Sequence, residues 1–202
     1  MKTRIRFLTV LCAATAFPLI VATPAHAGYI VSLVQQGPNV VATGTGAIDL
    51  TGLSLLYHGT YGSQVVPDMA FIATGPTGSP ADDVYSGAFS GPSFFGSGSF
   101  TFASSGSGDL VGIIGPSPFT LIVPQGYLSG TALSDTAAYY NATFSSLGVT
   151  PGTYEWTWGT GANQNFTLEI GAAHTPDNGS TFLLLSGAVV ALGYYWRREN
   201  VS

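Results

Sequence analysis

His58 is the only histidine well inside the middle of this chain, and imidazole is the side chain best suited to moving protons near neutral pH. Eight carboxylates share that region: Asp49, Asp68, Asp82, Asp83, Asp109, Asp135, Glu155 and Glu169. Paired with an acid such as Asp49 or Asp68, and with one of the many serines as nucleophile, His58 would make a hydrolase. No Gly-x-Ser-x-Gly elbow surrounds any serine, so a loop or strand-end histidine is the preferred reading.

Two other groupings carry chemistry. Asp82-Asp83, beside Pro80 and Ser86, offers the oxygen ligands that Ca²⁺ accepts, but no EF-hand or repeat spacing accompanies it. The pair therefore reads as a solvated acidic turn. Tyr154, Trp156 and Trp158 alternate along the chain and would stack sugar rings if exposed; as large aromatics on one strand face they read more naturally as core. Asn141-Ala142-Thr143 and Asn165-Phe166-Thr167 match a glycosylation acceptor, a three-residue pattern of little weight. No catalytic residue, cofactor or metal is expected.

The elements that must position these side chains are short. Gly, Ser, Thr and Pro interrupt the chain every several residues, and the stretches between are rich in β-branched and aromatic residues, a strand-and-turn pattern. Strands are predicted at Tyr29–Gln35, Val40–Thr43, Leu53–Tyr57, Val65–Ala73, Val84–Phe89, Ser99–Ala103, Leu110–Ile114, Phe119–Val123, Thr153–Trp158 and Phe166–Ile170. The last two form a closing hairpin, since both alternate apolar and polar residues around the turn residues 159–163. Residues 141–147 suit a single helical turn stopped by Gly148, and the Gly/Ser-rich stretch 94–108 suits a loop or loose hairpin. An all-β domain of sandwich or jelly-roll type follows, spanning residues 28–170.

Charge narrows the partners. Only 7% of residues are charged, and no Lys or Arg stands between positions 28 and 175. Nucleic acids are bound largely through Lys and Arg on phosphates, so no nucleic-acid partner is expected. With Cys12 the only cysteine and inside the first 27 residues, the domain has no thiol for a disulfide or a nucleophile. It must hold together by burial, for which 46% hydrophobic residues suffice.

The two ends are segments of another kind. Lys2, Arg4 and Arg6 precede an uncharged run from Phe7 to Ala22, followed by Ala25-His26-Ala27. This is the layout of a secretory signal peptide over residues 1–27, cleaved after the Ala25-x-Ala27 pair. At the other end, beyond a linker at 171–175, residues 178–196 carry no charge and Arg197-Arg198 follow. As a helix that run reaches ~28 Å, close to the roughly 30 Å hydrocarbon core of a membrane. The basic residues at both ends predict the same topology, with residues 28–175 outside.

Thr175-Pro176-Asp177-Asn178-Gly179-Ser180, then the apolar run, then Arg197-Arg198, resembles the tripartite sorting tail of PEP-CTERM proteins, in particular its VPDSG-CTERM variant. Thr175 stands where that variant has Val, and Asn178 where it has Ser or Gly. The stretch from Leu147 to Gly159 is also similar to the segment that precedes such tails. The resemblance implies an exosortase, a membrane-embedded transpeptidase-like enzyme, as partner for the tail at 176–198. It implies delivery to the cell surface or to an exopolysaccharide matrix, with Pro176 and Asp177 as the recognition core. A structural or adhesive role is expected, with a carbohydrate-binding module as the alternative.

Overall fold

The computed structural model describes residues 28–115 and 118–171. Ala25, Ala27, His174, the motif Thr175 to Ser180, the apolar run and Arg197-Arg198 lie outside the described residues. In chain order the strands are β1 Tyr29–Gln36, β2 Asn39–Ala47, β3 Ser54–Thr60, β4 Gln64–Val66, β5 Phe71–Thr74, β6 Ala81–Ser86, β7 Thr101–Phe102, β8 Ser105–Gly108, β9 Val111–Ile114, β10 Thr120–Pro124, β11 Ala132–Tyr139, β12 Gly152–Thr157 and β13 Asn165–Ile170. One helical turn, α1, covers Phe144–Leu147.

The fold is all-β, with two sheets. Six strands form one in the order β12-β13-β1-β2-β11-β8, and seven form the other in the order β3-β6-β10-β9-β5-β4-β7. Pairing is antiparallel except between β1 and β13, which run parallel from Tyr29 opposite Phe166 to Leu33 opposite Ile170. Gly171 N–H then bonds the Leu33 carbonyl at 2.9 Å, continuing that ladder.

Alternation explains which residues turn inward. Tyr29, Val31 and Leu33 of β1 and Phe166, Leu168 and Ile170 of β13 share one core with Val65, Ile72, Val111, Ile113, Leu121 and Val123 from the opposite sheet. Each such aliphatic side chain contributes about 1.5–3 kcal/mol through its burial. Ala73, Val84, Leu110 and Ile122 form a second cluster under Tyr61, Phe71 and Ile114. The middle of the seven-stranded sheet is therefore buried on both faces, which accounts for the unbroken apolar run Leu121-Ile122-Val123.

The closing hairpin forms as expected, with Trp156 opposite Phe166. So does the helical turn: Thr143 caps it, exchanging hydrogen bonds with Ser146, and Gly148 at φ 65° ends it in the left-handed conformation. Three expectations are corrected. The stretch 65–73 is a hairpin, not one strand, because Pro67 opens a 3-10 turn over Pro67–Met69 and Ala70 reverses the chain at φ 47°. Six of the fifteen residues at 94–108 belong to sheets, as β7, inside the predicted Ser99–Ala103, and as β8. β11, eight residues long, lies in a segment where no strand was predicted.

The chain at 90–96 bridges onto the end of β12 through Ser90 with Thr157, and onto Val149, ahead of β12, through Gly96. β7 and β8, the edge strands on the opposite side, are joined by a corner where Ala103 N–H bonds the Ser63 carbonyl and Ser104 N–H the Ala138 carbonyl. β3 pairs with β6 and with no other strand among the described residues.

Candidate functional site

His58 lies on β3 directly opposite Asp83 of β6. Its Nδ1 stands 2.6 Å from Asp83 Oδ1; the imidazole is 62% exposed and the carboxylate 6%. Gly126 N–H donates to the other oxygen of Asp83 at 2.9 Å. A buried carboxylate thus orients an exposed imidazole, leaving Nε2 toward the outside, the arrangement of a base with its orienting group.

Neither acid expected beside His58 bonds to it. Asp49 accepts Thr51 N–H at 2.9 Å and the Ser129 hydroxyl at 3.2 Å, bonds that hold its carboxyl below the usual range, and Asp68 sits in the 3-10 turn. Nothing in the 25-residue separation of His58 and Asp83 signals their meeting; only the pairing of β3 with β6 brings it about.

Asp82 and Asp83 do not form a solvated turn. Both are buried in β6, because they belong to a strand covered on both faces. Successive strand residues point to opposite faces, so the two carboxylates diverge and share no cation. Asp82 lies across from Gly59, accepts Tyr61 N–H at 2.6 Å through Oδ2, and leaves Oδ1 buried without a partner. Burial pushes its carboxyl above the usual range. On the same side the hydroxyls of Tyr57 and Tyr61 meet at 2.8 Å. Among the described residues no three His, Cys, Asp or Glu side chains gather as a metal site.

The aromatic face of β12 is core. Trp156 and Trp158 are buried, with Trp156 Nε1–H donating to the Pro92 carbonyl at 2.9 Å and Trp158 Nε1–H to the Asp49 carbonyl at 2.8 Å. Phe95, Phe89 and Phe166 pack against the indoles. Tyr154 is half-buried against Phe95 and donates its hydroxyl to the Thr150 carbonyl at 3.0 Å. The indoles of β12 are therefore not exposed for stacking a sugar.

The six-stranded sheet presents a different surface. Thr43, Thr45, Ser107, Ser134 and Thr136 are all exposed. Strand pairing sets them in two rows, Thr43–Thr136–Ser107 and Thr45–Ser134. Between the rows runs a shallow trough of about 350 Å³, with Gly44, Asp135 and Gly108 also lining it. Ser107 and Thr136 hydroxyls lie 3.1 Å apart. Ser32, opposite Thr43 on β1, extends the first row, and its hydroxyl is buried without a partner. Uncharged donors and acceptors at strand spacing suit a ligand made of hydroxyls better than one made of charges. Sequence reading missed this surface because Ser134 and Thr136 lie on the unforeseen β11.

Beneath the trough Tyr29 donates its phenolic proton to Asp135, a buried pair. Burial raises both groups, Asp135 to about 6. Among the described residues no helix is long and apolar enough to cross a membrane. No protein-family model matches the chain, and no curated protein or solved structure matches it.

Proposed function

We propose that this chain is an exported cell-surface or extracellular-matrix protein, sorted by an exosortase-type system and structural or adhesive rather than catalytic. The observation that carries the reading is the order of parts at its ends. A basic, apolar, Ala25-x-Ala27 start stands opposite a tail in which Pro176-Asp177 precedes an uncharged run and Arg197-Arg198. In this reading the uncharged run 178–196 holds the chain in the membrane until the transpeptidase-like partner acts at Pro176-Asp177. The exported part is a β-sandwich in this reading, since its two sheets share one core. An anionic domain with no Lys or Arg takes neither nucleic acid nor anionic lipid headgroups as partner.

Contact with a neutral exopolysaccharide falls to the hydroxyl trough of the six-stranded sheet, not to the buried indoles. A second reading, a hydrolase using His58, is favoured by one observation, the 2.6 Å contact with Asp83. It draws on Asp83 in place of Asp49 or Asp68.

Intact-mass analysis of the exported protein from its own host tests the sorting reading. The wild-type chain should begin at Gly28 and end near residues 175–180, and a Pro176→Ala, Asp177→Ala double variant should lose that C-terminal processing. Retention of Val201 and Ser202 in both proteins would sink it.

A further inference from the structure

β3 is the longest of the four sheet-edge strands, and no strand among the described residues pairs with its outer side. The rim of β12 is bridged at Thr157 by Ser90, and β7 and β8 are short and joined by a corner. Natural sheets protect such an edge with Lys, Pro, a β-bulge, inward charges or a covering segment. β3, Ser-Leu-Leu-Tyr-His-Gly-Thr, carries neither Lys nor Pro. It displays instead Leu55, Leu56 and Tyr57, which are 47%, 52% and 43% exposed. The register slips between Leu55 and Tyr57, so Leu56 bulges out of the pairing with β6, while Tyr57 to Thr60 stay regular.

We propose that β3 is a self-association edge, at which two copies of this chain pair antiparallel through the regular half of the strand and join their seven-stranded sheets. Charge selects the occupant. Each exported domain bears eight carboxylates and no Lys or Arg, so two copies repel wherever acids face each other. Residues 50–67 contain no Asp or Glu, and β3 lies in the middle of that stretch. The nearest acids, Asp82 and Asp83, are buried behind the strand on β6, and Asp83 is occupied by His58. A cationic partner would be drawn to the carboxylates elsewhere; an uncharged strand with free backbone groups fits another uncharged strand. Antiparallel pairing of one segment with itself also closes on a two-fold axis, which yields a dimer and not a filament. The three exposed apolar side chains flank the joined strands and leave water together. The inference is independent of how the chain is sorted.

The test is sedimentation equilibrium of the exported chain, purified after signal removal, together with hydrogen exchange at two concentrations. The wild type should sediment as a concentration-dependent dimer, and amides within 54–60 should slow their exchange as concentration rises. Leu56→Lys places a guarding charge on the edge and should raise the dimer dissociation constant by about tenfold or more, whereas Leu128→Lys, at a 72% exposed loop site, should leave it unchanged. Blue-shifted tryptophan emission checks that each variant is folded; should Leu56→Lys not fold, exchange at 54–60 in the wild type decides alone. A monomer at all concentrations overturns the proposal, and if 54–60 are protected even when dilute, another segment of the chain covers the edge. A dimer indifferent to Leu56→Lys overturns it in favour of another surface.

Discussion

Tyr29 on β1 gives its phenolic proton to Asp135 on β11 by reaching over Gly44 of the strand between them. One oxygen of Asp135 is thereby satisfied, and the other, Oδ1, stays buried without a partner. The pair is a polar island in an apolar interior, and its protonation is tied to folding.

Burial, the largest influence, lifts the Asp135 carboxyl from 3.8 to about 6, outweighing the bond from Tyr29 that favours its charged form. Between those values the folded protein holds a proton that the unfolded chain has released. Stability from this group is therefore complete below about pH 4 and falls away as pH rises through about 6. The loss is at most about 3 kcal/mol. Asp135→Asn has no such proton to lose, so urea unfolding at about pH 4 and pH 7 should show a smaller fall for the variant. Equal falls in the two proteins would refute the assignment.

Gly44→Ala should be destabilising by about 1–3 kcal/mol, since an added methyl meets both the Tyr29 hydroxyl and the Asp135 carboxylate. Tyr29→Phe removes the crowding hydroxyl. In a thermal-denaturation cycle the double variant should be less destabilised than the sum of the singles, and strict additivity would show that the two groups do not compete for space.

Trp156→Ala should cost about 3–5 kcal/mol by chemical denaturation, because its ring is fully buried among Phe95 and Phe166. The described domain holds no tryptophan besides Trp156 and Trp158, so acrylamide should barely quench the native emission, and polysaccharide should leave it unchanged. Strong quenching in the folded state would place the indoles at the surface.

A neutral His58 should carry its proton on Nδ1, where the Asp83 carboxylate accepts it, and ¹⁵N chemical shifts of the imidazole report this directly. Asp83→Ala should release the ring to the Nε2–H tautomer common in water and should cost about 1–3 kcal/mol, because Gly126 N–H also loses its acceptor. An Nε2–H tautomer in the wild type would contradict the pairing.

Much of the architecture was legible where side-chain alternation is strong. In β12 and β13 large apolar residues occupy every second place, and the hairpin follows from the sequence alone. β11 has the same alternation of burial, but its inward residues are Leu133, Asp135, Ala137 and Tyr139, and an acid among small side chains hides the pattern. The island that accepts Asp135 exists only because Tyr29, more than a hundred residues away, arrives beside it. Asp82 and Asp83 mislead for the same reason: two adjacent acids look like a turn until Tyr61, His58 and Gly126 supply their partners. The trough was invisible because Thr and Ser rows are created by register, a property of strand pairs and not of segments.

The parallel contact of β1 with β13 sets how the domain bears load. The described chain enters at the start of β1 and leaves at the end of β13, and those two strands lie side by side. A pull that separates the two ends drags the strands past each other, so the ladder from Tyr29 to Leu33 is strained in shear, every bond at once. Peeling bonds one by one would need a pull across the strands, which this connectivity does not deliver. A load carried between residues 28 and 171 is thereby resisted by the first and last described strands together.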